Sequence, residues 1–107
     1  MVVYTEAVQF KVDSKLVDFI EKKLSKIDQF FDRIINAKVV LKLENTGQVR
    51  EKIAEVRINV PGETLFVKVT HKSFEAAVEQ AVDSLNRQII KYKEKQSLFW
   101  EIMNDTD

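Results

Sequence analysis

Residues Ser73–Lys95 read SFEAAVEQAVDSLNRQIIKYKEK, and this stretch decides the fold. Phe74, Val78, Ala81, Leu85, Ile89 and Tyr92 recur at spacings of three and four, so they share one face of a helix. No Gly or Pro interrupts the run. At 1.5 Å per residue it spans about 33 Å, the width of a small domain. Its charge is divided. Glu75, Glu79 and Asp83 occupy the first half; Arg87, Lys91, Lys93 and Lys95 dominate the second, against Glu94 alone. Acid early and base late suit the helix dipole, which is the purely structural explanation. Arg87, Lys91 and Lys95 also stand four apart and form one cationic stripe, an arrangement that suits a ladder of phosphates.

An amphipathic helix needs an apolar surface to cover, and the residues before it supply one. Lys52–Val60 (KIAEVRINV) alternates, with Ala54, Val56, Ile58 and Val60 on one side and Glu55, Arg57 and Asn59 on the other. Pro61-Gly62 is a turn, and Thr64–Thr70 follows with Leu65, Val67 and Val69 inward. Upstream, Ala37–Glu44 alternates with Val39, Leu41 and Leu43 inward, and Asn45-Thr46-Gly47-Gln48 is a turn signal. Val2–Phe10 is rich in β-branched and aromatic residues and reads as a first strand, with Val3 and Ala7 assigned to the core side. Between these strands, Asp13 or Ser14 caps a helix over Lys15–Phe30 whose stripe is Leu16, Ile20, Leu24, Ile27 and Phe31. Phe30, Phe31, Ile34 and Ile35 make an apolar knot at its end.

The order is β-α-β-β-β-α. The first strand–helix–strand unit demands a parallel pair; the short later joins demand hairpins. The expected fold class is α+β: a four-stranded sheet with two roughly parallel helices packed on one face. If the polar faces of the helices adjoin, Lys22, Lys23 and Lys26 approach Arg87, Lys91 and Lys95.

Composition narrows the function. The chain has 107 residues, no Cys, one His and 45% hydrophobic content. One small core is therefore expected, with no disulfides and no thiolate chemistry. A start without signal character and the lack of a long apolar run point to a cytoplasmic protein without a membrane partner. The 17 basic and 17 acidic residues balance. The tail 96–107 holds Glu101, Asp105 and Asp107 and no base, which leaves residues 1–95 mildly basic. His71 lacks a nucleophile or carboxylate motif to serve, and no H-E-x-x-H, D-x-D or phosphate-binding Gly loop occurs. No enzyme, no cofactor, no metal and no small-molecule substrate are expected. Phe74 and Tyr92 lie on the apolar stripe and are assigned to the core. Phe66, Ile53 and Val40 fall on the outward sheet face.

Three stretches carry a resemblance to a known family. They are Phe10, Leu16, Ile20 and EKKLSKI (Glu21–Ile27); the strand closing on Pro61-Gly62; and Phe74-Glu75-Ala76-Ala77-Val78 leading into Val82-Asp83-Ser84-Leu85-Asn86-Arg87-Gln88-Ile89 and Lys91. The last is similar to an aromatic-x-Ala-Ile, then Leu-Glu-Arg-Gln-Leu-x-Lys pattern. In these residues the chain resembles the ribosome hibernation promoting factors, also called ribosome-associated inhibitor A, in their short form. Other members carry a long C-terminal dimerisation domain, for which 107 residues leave no room.

The resemblance implies two helices on a four-stranded sheet. It also implies binding of the small ribosomal subunit at its decoding region, where messenger and transfer RNA are excluded during stress or stationary phase. The implied partners are 16S-type ribosomal RNA and neighbouring ribosomal proteins. Carried over by position, the RNA-contacting residues are Lys22, Lys23 and Lys26 on the first helix and Arg87, Lys91 and Lys95 on the second. The family often has Asp where Lys72 stands, so Thr70 or Ser73 must cap the last helix. The expected division is a ribosome-binding domain over residues 1–95 and a tail over 96–107 whose apolar residues are Leu98, Phe99, Trp100, Ile102 and Met103. That tail is expected to be a helix extension folded back on the domain; the alternative is an arm for weak self-association. The rival function is an interaction module that dimerises through this tail or the open sheet face. A general double-stranded RNA binder is a second rival.

Overall fold

The computed structural model describes the backbone of residues 1–46 and 49–104 and the side chains of residues 1–44 and 51–96. The elements are β1 (Val2–Ala7), α1 (Ser14–Phe30), β2 (Asn36–Thr46), β3 (Val49–Val60), β4 (Glu63–His71) and α2 (Phe74–Asn104). The sheet order is β1-β2-β3-β4, with β1 parallel to β2 and the other neighbours antiparallel. Three strands therefore run one way and β3 the other. Each helix reverses the strand before it, so the two helices run roughly parallel to one another.

Local chemistry sets the element ends. The Lys15 N–H donates to Asp13 Oδ1 at 3.1 Å, so Asp13 caps α1. At α2 the Ala76 N–H donates to Ser73 Oγ at 3.1 Å, which makes Ser73 the cap in the absence of an Asp at position 72. Pro61-Gly62 closes a two-residue hairpin between the paired residues Val60 and Glu63. Gly62 sits at φ +79, where a side chain is strained. β1 ends at Ala7 rather than Phe10, because the chain turns at Gln9, a non-glycine residue at φ 65. Val3, Thr5 and Ala7 face the helices and are half-buried, whereas Val2, Tyr4, Glu6 and Val8 are exposed. Gly47 and Gln48 of the expected turn lie outside the described residues.

The core lies between sheet and helices. Leu16, Ile20, Leu24, Ile27 and Phe31 come from the α1 side; Phe74, Val78, Ala81, Leu85, Ile89 and Tyr92 from α2; Val39, Leu41, Ala54, Val56, Ile58, Val60 and Leu65 from the sheet. Phe31 meets Tyr92 edge-on at 5.6 Å, and Phe10 stacks on Phe74 at 5.3 Å. Leu43, expected inward, is 41% exposed, because β2 and β3 extend beyond the helices at that end. Ile53 differs in the opposite sense. It faces the open side of the sheet, yet is only 4% exposed. Its cross-strand neighbours are Lys42 and Thr70, and long lysine stems cover apolar surface well. Phe66 lies under the Arg57 guanidinium, 5.7 Å from its centroid. The three outward apolars Val40, Ile53 and Phe66 therefore do not merge into one bare patch.

The largest departure is the length of α2. It continues without a break to Asn104 instead of stopping at Lys95. The Tyr92 hydroxyl donates to the Pro61 carbonyl oxygen at 2.6 Å, which fixes Tyr92 level with the β3–β4 turn. The twelve helical residues after it therefore run about 18 Å past that turn. The backbone of 96–104 extends the helix axis and does not fold back. The side chains of Leu98, Phe99, Trp100, Ile102 and Met103 lie outside the described residues.

Candidate nucleic-acid interface

An α-helix advances 100° per residue, so every step of four drifts by about 40°. Glu75, Glu79, Asp83, Arg87, Lys91 and Lys95 are six residues spaced four apart. They form one ridge, three acidic residues and then three basic ones, which winds about 200° around α2 from first to last. The acidic steps begin on the side that faces α1. The basic steps end on the side that faces β4, where the Gln88 side-chain amide donates to the Phe66 carbonyl oxygen at 3.2 Å.

This drift decides what the α1 lysines meet. Lys23 and Lys26 line a groove of about 320 Å³ between the helices, together with Glu79, Val82, Asp83 and Asn86. Lys23 Nζ is 3.2 Å from Glu79 Oε1 and lies 5.5 Å from the centroid of Phe19. The structure thus sets Lys23 and Lys26 opposite the acidic half of the ridge, not opposite Arg87, Lys91 and Lys95. Lys22, Lys26, Arg87, Lys91 and Lys95 are exposed, and among the described residues none of the five is in an ion pair. Lys23 is half-buried and already paired. Fixed cations at four-residue spacing on rigid helices can each neutralise a phosphate, and Arg87 can also fork onto two oxygens.

Lys93 was not among the expected site residues. Its ammonium lies 4.8 Å from the centroid of the Phe30 ring and carries positive charge across to the end of α1. The signal was its angular position: Lys93 is seven residues after Asn86, so it returns to the groove side. His71 is exposed, and its Nδ1 accepts from the Lys72 N–H at 2.9 Å. Its environment is that of a strand-end residue.

The open face of the sheet is different. Lys38 pairs with Glu6 at 3.6 Å and Lys42 with Glu55 at 3.2 Å, both across strands. Among the described residues no helix is long and apolar enough to cross a membrane.

The element order and the pair of helices on a four-stranded sheet coincide with one known group of proteins. Residues 3–97 match the family described as Sigma 54 modulation protein / S30EA ribosomal protein. The chain belongs to that family. A relative from Azotobacter vinelandii, named ribosome hibernation promoting factor, is 35% identical over 88 residues, which cover 82% of this chain and 78% of that protein. The solved N-terminal domain of Protein Y from Thermus thermophilus is 29% identical, with a TM-score of 0.75 over 86% of this chain and 99% of that one. A ribosomal subunit interface protein from Coxiella burnetii, 22% identical, shares the fold with a TM-score of 0.78 over 88% of this chain and 99% of that one.

Proposed function

We propose that this chain is a ribosome hibernation factor that binds the small ribosomal subunit at the decoding region and blocks messenger and transfer RNA. The observation that supports this most is the set of exposed cations on two rigid parallel helices, in a chain whose relatives are named for ribosome hibernation. The mechanism is occlusion of a site, with no bond made or broken. Lys22, Lys26, Arg87, Lys91 and Lys95 neutralise phosphates of 16S-type ribosomal RNA, and the rigid fold fits the shape of the folded RNA. Lys23 joins them by exchanging Glu79 for phosphate. Glu79 and Asp83, in the groove with Lys23 and Lys26, repel phosphate there and so favour one orientation of the chain on the RNA. The protein acts in the cytoplasm, where ribosomes are.

The test is competition. Purified small subunits loaded with a fluorescent messenger fragment are titrated with the chain. Release of the fragment, with the chain then sedimenting with the subunit, is expected. Retention of the fragment at saturating chain would overturn the decoding-region assignment. A bare RNA duplex is the second ligand: binding it as tightly as the subunit would favour a general double-stranded RNA binder.

A further inference from the structure

α1 ends in two adjacent phenylalanines, and they do different things. Phe31 is buried and packs edge-on against Tyr92. Phe30 is 44% exposed. Lys22, Lys26 and Phe30 are successive steps of four, so the aromatic ring completes the same surface row as two unpaired lysines. From the other helix, Lys93 places its ammonium 4.8 Å from the centre of the ring. An exposed ring with one ammonium over it and a lysine one turn earlier on its own helix is the combination that holds an unpaired RNA base: cations fix the backbone and the aromatic face stacks on the base. The ammonium of Lys93 stands over the ring, and the remaining exposed surface of Phe30 is open to a flat, polarisable group.

We infer that Phe30 is a base-stacking residue, which takes one unstacked nucleotide of the bound RNA while Lys26 and Lys93 hold the flanking phosphates. This rests on the proposed ribosome binding and adds a contact of another kind to it. A stacked base contributes affinity without releasing counterions, so stacking and charge separate in a salt titration.

The experiment measures binding to purified small ribosomal subunits at several salt concentrations for the native chain and for Phe30→Ala, Phe30→Leu and Phe30→Trp. Thermal melting of each variant accompanies it. Phe30→Leu keeps an apolar side chain and removes only the ring. Stacking predicts a loss of roughly tenfold in affinity for Phe30→Leu and Phe30→Ala, with the slope of log K against log salt unchanged, and native or better affinity for Phe30→Trp. Lys26→Ala is the contrast and should flatten the slope by about 0.7–0.9. Native affinity in Phe30→Leu would overturn the inference. So would a loss in Phe30→Trp equal to that in Phe30→Leu. If the native chain itself fails to bind, the proposed function has failed, a result distinct from either.

Discussion

The two outer surfaces of this molecule carry similar residues arranged in opposite ways. On the open sheet face, Lys38 stands beside Glu6 and Lys42 beside Glu55, so opposite charges meet across neighbouring strands. On the helix layer, charges of one sign follow one another along a ridge, three acids and then three bases. A balanced chain thereby presents one self-neutralised face and one polarised face. Net charge, which is zero by sequence, says nothing of this. Pairing across strands spends a cation on the protein itself; segregation along a helix leaves it for a partner.

The contrast can be broken at several depths. The deepest is the layer that holds both faces in place. Leu85 is fully buried between them, and Leu85→Ala should cost about 3 kcal/mol of stability by denaturant unfolding, against less than about 1 kcal/mol for truncation of half-exposed Phe66 to Ala. At the polarised face, Lys26→Glu should weaken binding to small subunits by at least about tenfold and leave the melting temperature within a few degrees, since Lys26 is exposed and unpaired among the described residues. Gly62→Ala tests the turn alone: no atom lies within 4 Å of the added methyl, so the expected loss of about 1 kcal/mol is conformational strain at φ +79. Glu79→Gln should sharpen the polarity. It frees Lys23 for RNA and should tighten subunit binding a few-fold with a steeper salt dependence. The smallest effect belongs to the neutral face. A double-mutant cycle on Lys42 and Glu55 should give a coupling below about 1 kcal/mol, and subunit binding should not change.

Much of this was legible in the residues. The stripes Leu16–Phe31 and Phe74–Tyr92 and the alternation of Ala54–Val60 are periodic signals that depend on local geometry alone, and they fixed the architecture. The lack of an Asp at position 72 left Thr70 or Ser73 as the cap, and the Ala76 N–H selects Ser73. Other features depend on relations between elements, which periodicity does not encode. The facing of Lys23 towards Glu79 follows from the 40° drift of the ridge combined with the packing of α1 beside α2. The burial of Ile53 depends on which side chains neighbour it across β2 and β4. Lys93 escaped notice because its partner, the Phe30 ring, belongs to the other helix. A helical tail was legible, but not its straight continuation of α2 to Asn104, because the apolar stripe is interrupted by polar residues after Tyr92.

The most direct measurement compares the two faces in one assay. Arg87→Glu with Lys91→Glu reverses the polarised face; Lys38→Glu with Arg57→Glu reverses two cations on the neutral one. Both proteins, checked by circular dichroism, are sedimented with purified small ribosomal subunits beside the native chain. The account predicts that the native chain and the sheet-face variant travel with the subunit and that the Arg87–Lys91 variant stays at the top of the gradient. If the sheet-face variant is the one left behind, or if both variants travel equally, the assignment of the binding surface to the helix layer is wrong.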